Sequence, residues 1–190
     1  MPDVAIVGGG PAGLSAALFT AKNGLETAVF DTDETWMHKA HLFNYPGIRS
    51  ISGSEYMELT RGQVRDRGAE IHTGEAVTGI DRIADGFRIK TADATYKVSY
   101  AILATGADRS FAEDLGCKLD DRDTVDVDLD MATSVDNLYA TGAMVRAEEW
   151  QAVIAAGDGA AAALSILSTE LGEHYHDFDT PGDVPSFRSE

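Results

Sequence analysis

Residues 3–18 read DVAIVGGGPAGLSAAL, and this stretch decides how the rest of the chain is to be folded. Val4–Val7 is a short apolar run that ends in glycines, as a strand buried on both faces of a parallel sheet does. Pro11 suits the first turn of a following helix, and Gly24, after Lys22 and Asn23, suits its end. Gly8, Gly10 and Gly13 hold the G-x-G-x-x-G spacing between that strand and that helix. The first glycine permits a tight turn, the second lets backbone approach a pyrophosphate, and the third lets helix and strand pack closely. The helix N-terminus, with Pro11 and Ala12 in its first turn, offers N–H donors to the phosphates. Thr27–Phe30 make a second buried strand closed by Asp31, about 20 residues past the loop, where a carboxylate can accept hydrogen bonds from a ribose. A dinucleotide site is the expectation.

The remaining elements continue an α/β order. Residues 32–53 show little periodicity and carry the turn signal Tyr45-Pro46-Gly47, which predicts a long loop. Ser52 with Glu55 forms a capping-box pattern and opens a helix ending near Gly68. Short strands are predicted at 70–73, 77–83, 87–91 and 96–100, with a buried strand at 101–104. Residues 107–136 are polar and acidic, a loop with one short strand. A strand at 138–140 and a helix over 149–171, stopped by Gly172, complete the domain, and a polar tail, loosely held, follows at 173–190.

Composition limits the partners. The 190 residues carry a formal charge of -17, from 32 acidic and 15 basic side chains, which speaks against nucleic acid and anionic membranes. Lysine is scarce, at Lys22, Lys39, Lys90, Lys97 and Lys118. Dense carboxylates with few lysines resemble the cytosolic proteins of salt-loving microbes; an ordinary acidic protein is the alternative. Cys117 is the one cysteine, so no disulfide can form within the chain. No signal segment stands out and no run reaches the roughly 18 apolar residues of a membrane span, so a cytoplasmic, soluble chain is expected.

VAIVGGGPAG, with AILATGA and NLYATGAM far downstream, resembles the flavin domain of the thioredoxin reductase family of FAD-dependent pyridine nucleotide–disulfide oxidoreductases. The resemblance covers most of residues 3–171 and implies FAD as cofactor. By it, Asn44 in LFNYPGI faces the flavin, and the backbone of Glu75-Ala76-Val77 reads the adenine. Ala104-Thr105-Gly106 is the crossing where small residues pass close to the cofactor. Trp150-Gln151-Ala152 resembles the start of the last helix, whose backbone N–H groups face the pyrimidine edge of the ring. The family's flavin domains also form the subunit contact, which implies a homodimer.

Three departures stand beside these matches. Between Gly106 and Asp120 the family inserts a second dinucleotide domain with the NADPH site and a redox-active cysteine pair; this chain has a short stretch there. The family follows the last strand with Gly-Asp, where this chain has Gly142-Ala143. The glycine-glycine-glutamine segment after the second strand is replaced around Asp33, Glu34 and Thr35.

Other candidates resolve less sharply. Gly157, Gly159 and Ala162 spell G-x-G-x-x-A, but no buried strand leads in, so AAGDGAAAAL reads as a small-residue helix packed on the sheet. His38 and His41 are placed near the cofactor by the resemblance and could carry protons there, or be solvated. Glu173, His174, His176 and Asp177 could ligate a metal, though a solvated tail is the expectation. Cys117 has only Lys118 as a basic neighbour in sequence and is expected to be buried and inert.

The sequence therefore predicts an α/β protein with a Rossmann-like FAD/NAD(P)-binding fold, three layers deep, its central parallel sheet joined by a small β-meander. Residues 1–172 form a single FAD-binding domain that lacks the NADPH domain near 107–120. The expected activity is electron transfer with an external reductase, redox partner or small substrate. A non-catalytic dinucleotide sensor or complex subunit, or an NAD(P)-binding oxidoreductase, is the alternative.

Overall fold

The computed structural model describes residues 2–180. Its elements in chain order are β1 Val4–Val7, α1 Pro11–Lys22, β2 Thr27–Asp31, β3 His41–Leu42, β4 Ile51–Ser52, α2 Gly53–Asp66 and β5 Glu70–Thr73. There follow β6 Gly79–Ile83, β7 Gly86–Lys90, β8 Thr95–Val98, β9 Tyr100–Leu103, α3 Ser110–Asp114, β10 Leu138–Ala140 and α4 Ala152–Leu171.

Five strands form one parallel sheet in the order β10-β9-β1-β2-β5. All residues of β1, β2, β9 and β10 are buried, because helices and a second sheet cover the parallel sheet. That second sheet is the antiparallel meander β6-β7-β8, whose middle strand packs on β9 and sends Phe87 and Ile89 into the core. Helices α1, α2 and α4 form the remaining layer. Gly159 of α4 lies against the Ala12 carbonyl of α1, where any side chain would collide, so the two helices meet backbone to backbone. Burying this seam of alanines is what the run AAGDGAAAAL achieves, and it is helix throughout.

Local signals account for most boundaries. Ser52 Oγ accepts from Glu55 N at 3.2 Å and caps α2, and Gly172 ends α4 in the left-handed region at φ 76°. Several boundaries differ from the sequence reading, most by a single residue. Ser99 bends the chain out of the meander, and Tyr100 opens β9, its N–H, like that of Ser99, turned to Asp3 O at 3.0 Å. Strand β6 begins at Gly79, not at residue 77. Helix α4 begins at Ala152, because Glu149 and Trp150 belong to a tight turn tied by Trp150 Nε1 to Arg146 O at 3.0 Å. The 32–53 stretch is not wholly loop: a 3-10 turn at Trp36–Lys39 and the pair β3·β4 organise it.

Two further expectations need correction. Residues 107–136 contain α3 and isolated bridges, Leu119 with Val125 and Ala132 with Tyr139, in place of a strand. The first part of the tail is held: Asp177 pairs with Lys22 at 2.6 Å, and Tyr175 Oη donates to Asn23 Oδ1 at 2.7 Å. Residues 181–190 lie outside the described residues. Helix α4 is also long and apolar enough to cross a membrane, with a mean hydropathy of 1.5 that the run-length reading passed over; here it packs on α1 and carries buried Asp158.

Candidate functional site

A cavity of about 770 Å³ opens along the C-terminal ends of the parallel strands, the position where open α/β sheets bind ligands. Of the residues singled out from the sequence, Gly8, Gly10, Pro11, Ala12, Asp31, Asn44, Val77, Ala104, Thr105, Gly106, Gly142, Ala143, Gln151 and Ala152 all line it. Gly13 does not. Its missing side chain would fall on the Gly8 carbonyl and beside Ile6, so it serves the closeness of α1 and β1.

The glycine loop tests whether a dinucleotide fits. Gly8 turns at φ 107° against the Ala104 carbonyl, where no side chain has room. A methyl group at Gly10 would meet only Thr35 Oγ1 of the protein, at 3.6 Å; what this glycine keeps open is the cavity itself. Gly10 caps α1 without a side-chain hydrogen bond, which leaves the first-turn N–H groups free to face an anion. The residues present fit a pyrophosphate here.

Asp31 stands at the end of β2 as predicted, only 3% exposed, with its carboxyl group filling the space beside Gly9. Asp31 Oδ1 accepts from Asp33 N at 2.9 Å and Oδ2 from Arg61 Nη2 at 2.8 Å. The same Arg61 nitrogen reaches Asp33 Oδ1, and His38 Nε2 lies 2.8 Å from that oxygen. Hydrogen bonds from His38 and then Arg61 hold the Asp33 carboxyl below its usual range, against the opposing effect of burial. Burial works against the Arg61 charge, but its bonds to Asp33 and Asp31 outweigh it and raise the pKa. His38 thus belongs to this ion network, with Nδ1 on Ser54 Oγ at 3.0 Å, and is not among the residues lining the cavity. His41 does line it, bonded to Ser50 Oγ at 2.9 Å.

Farther along, Phe30 and Glu75-Ala76-Val77 close one end of the cavity, with Phe30 stacked on His72 at 4.9 Å. The other end lies between the 36–44 segment and the start of α4. There Asn44 Nδ2 donates to Gln151 Oε1 at 2.8 Å, and the Trp36 and Trp150 rings meet at 5.3 Å. Arg146 also lines the cavity, held by buried Asp158 through Nη2 at 2.5 Å and Nε at 3.2 Å, a bond that raises its pKa. Trp36, Arg146 and Arg61 were not expected from the sequence; Trp150 was, as the first residue of the Trp150-Gln151-Ala152 match, though not its ring's contact with Trp36. Their partners are distant in the chain, and no short motif encodes them.

The remaining candidates stand apart from this cavity. Gly159 and Ala162 are buried within α4, and Gly157 lies on its exposed side. Cys117 is buried, and burial pushes its thiol up despite a hydrogen bond with Thr133. Asp177 is engaged by Lys22 and Asn23, and His176 stacks on Phe178. Among the described residues no group of three or more His, Cys, Asp and Glu side chains converges as a metal set.

A parallel sheet in this order, with a glycine loop and an acid on adjacent strands facing one cavity, defines a dinucleotide-binding domain of the Rossmann type. Residues 2–110 and 45–160 match the family described as pyridine nucleotide-disulphide oxidoreductase, and the chain belongs to it. Members of this family related to thioredoxin reductase are FAD-binding flavoproteins, in agreement with the cofactor expected from the sequence. Among curated proteins, the thioredoxin reductase of Treponema pallidum is 40% identical over 116 residues, 56% of this chain and 36% of that protein. That of Listeria monocytogenes is 36% identical over 112 residues, 56% of this chain and 34% of that protein. The matched region thus spans about a third of the length of these relatives. In fold, the thioredoxin reductase from Gloeobacter violaceus superposes with a TM-score of 0.83 at 21% identity, over 94% of this chain and 99% of that one. The thioredoxin reductase from T. acidophilum does so with 0.83 at 22% identity, over 90% and 99%.

Proposed function

We propose that this chain is an FAD-binding flavoprotein oxidoreductase, thioredoxin reductase-like, that exchanges electrons with an external partner or small substrate. One observation carries the reading: a single cavity runs from the glycine loop and Asp31 to Asn44, Gln151 and Ala152. Its volume of about 770 Å³ stands in the upper part of the range for cofactor pockets, and its lining brings the glycine loop together with residues more than a hundred positions away in the chain. In this reading Gly8, Gly10, Pro11 and Ala12 present backbone to the pyrophosphate, and Asp31 receives the ribose. Val77 lies against the adenine, and Ala104, Thr105 and Gly106 pass beneath the middle of the cofactor. Gly142, Ala143, Asn44, Gln151 and Ala152 surround the flavin half, and Trp36 and Trp150 cover its outer edge.

FAD supplies the hydride and electron chemistry when bound; the protein orients it and excludes water. The chain holds one cysteine, so it supplies no dithiol of its own, and the 107–120 connection is a short segment built around α3. This supports a unit of residues 1–172 without an NADPH domain, followed by the 173–190 tail. A homodimer, a cytoplasmic setting and a salt-rich source complete the proposal, resting on the family's subunit contact and the charge of -17.

The cavity also carries Glu34, Glu75, Asp108 and Glu149, and Ala143 stands where the family has a carboxylate for the flavin chain. Those features favour a second reading, a dinucleotide sensor or complex subunit without turnover. The absorption spectrum of freshly purified protein, before and after adding FAD, decides. Oxidised flavin bands that survive gel filtration support the flavoprotein; a colourless protein that takes up no FAD overturns it.

A further inference from the structure

We infer that Arg61 of α2 is the positioning residue for ribose recognition at this site, an inference that rests on the cavity being the FAD site. Arg61 is distant from Asp31 in sequence, and it is not among the residues lining the cavity. Its side chain is only 12% exposed, and its Nη2 donates to both Asp31 Oδ2, at 2.8 Å, and Asp33 Oδ1.

The Asp31 carboxylate is held on three sides. Asp33 N takes one oxygen at 2.9 Å, Arg61 takes the other, and Gly9 leaves room for the carboxyl group where any side chain would displace it. What remains of Asp31 faces the cavity. The geometry makes Arg61 the tether of two carboxylates that otherwise repel each other. Asp33 sits in the left-handed region at φ 61°, which places its own N–H on Asp31 and its carboxylate on the guanidinium. Remove the guanidinium and like charges at close range drive the two carboxylates apart, so the ribose acceptor loses its aim. Arg61 touches no ligand in this arrangement; it acts through Asp31.

The test asks whether the site still senses the ribose hydroxyl. The full chain, loaded with FAD, is titrated with ADP and with 2′-deoxy-ADP, and displacement is followed by the rise in flavin fluorescence. The wild-type chain should prefer ADP by roughly tenfold to a hundredfold, the range of a hydrogen bond to a charged acceptor. In Arg61→Gln that preference should collapse to within about twofold, as it should in Asp31→Asn. Arg61→Lys, which keeps one charged donor, should retain an intermediate preference. A merely structural role would weaken both nucleotides alike and leave their ratio intact in Arg61→Lys and Arg61→Gln; that result overturns the inference. So does a wild-type chain that holds FAD yet treats the two nucleotides equally, or is displaced by neither. A chain that takes up no FAD at all fails earlier and differently: the proposed function falls, and the inference falls with it.

Discussion

Asn44 donates its side-chain amide to Gln151 Oε1 across 2.8 Å, joining the segment after β3 to the residue that caps α4. The two residues stand on opposite sides of one end of the cavity, and both are exposed. A neutral bond in that setting contributes only about 0.5–1.5 kcal/mol, so Asn44→Ala should leave the melting temperature nearly unchanged. Its effect should fall on retention: FAD should leave the variant roughly three- to tenfold faster. Stopped-flow release into excess apo-flavoprotein measures it, and an unchanged rate would place the amide pair away from the ring.

Ala143→Asp should tighten FAD binding. Ala143 sits in the 3-10 turn Gly142–Val145 on the cavity wall, with no acceptor to offer. A carboxylate accepting from a ribityl hydroxyl contributes about 1.5–3 kcal/mol, which is about a tenfold to hundredfold gain in affinity. Glu149 on the same wall opposes some of this, and salt reduces that opposition. Equal or weaker binding by the variant in parallel fluorescence titrations would remove the flavin half of the proposal.

Neither NADH nor NADPH should reduce the bound flavin at an enzymatic rate without an added partner. The chain has one glycine loop at the end of a buried parallel strand, and FAD fills it in the proposed reading. Hydride transfer needs the nicotinamide held in reacting geometry, and among the described residues no second glycine loop follows a buried strand to hold it. Bleaching of the flavin by either nucleotide within seconds of mixing would falsify this.

Salt should stabilise the fold. With a formal charge of -17, self-repulsion opposes compactness and is screened as ionic strength rises. The acids lining the cavity predict the same direction for FAD, whose pyrophosphate they repel, so affinity should also rise with potassium chloride. Melting curves and FAD titrations from low to molar salt check both; flat or falling curves would contradict the charge argument.

The Asp33 network gives a pH signature. Its carboxyl is held below the unfolded value of about 3.9 by His38 and Arg61, so the unfolded state binds the proton more readily. The stabilisation is present above the unfolded pKa and is lost as pH falls through the folded one. Asp33→Asn should therefore be less stable than wild type at neutral pH, with the difference shrinking below about pH 4. The side chain is 39% exposed, so the difference should be modest and smaller in high salt. Urea denaturation at several pH values reads it; a gap that stays constant with pH would mean that Asp33 acts through its backbone alone.

What was legible in the sequence was what is contiguous in it. The β1–loop–α1–β2 unit carries its own periodicity, turn glycines and terminal acid, so the glycine-loop half of the cavity could be placed from residues 3–31. Asn44, Gln151 and Ala152, the residues proposed to face the flavin, were reached only through family resemblance, because nothing local marks them. Arg61 was invisible: it lies on an amphipathic helix among other charges, and its meaning comes from Asp31, brought near by the pairing of β2 with β5. The start of α4 was misplaced because Glu149 and Trp150 have ordinary helical propensity; the turn bonds from Trp150 N to Glu148 O and Gln151 N to Glu149 O, with the tie from Trp150 Nε1 to Arg146 O, hold them out of the helix.

The chain contains two tryptophans, and both stand at the same end of the cavity with their rings 5.3 Å apart, Trp36 54% and Trp150 49% exposed. Nearly all of its intrinsic ultraviolet emission therefore originates at one place. A flavin seated beside them absorbs where indoles emit, so resonance energy transfer would darken the protein as the site fills. Occupancy of the site can thus be followed optically on the unmodified chain, with no attached dye.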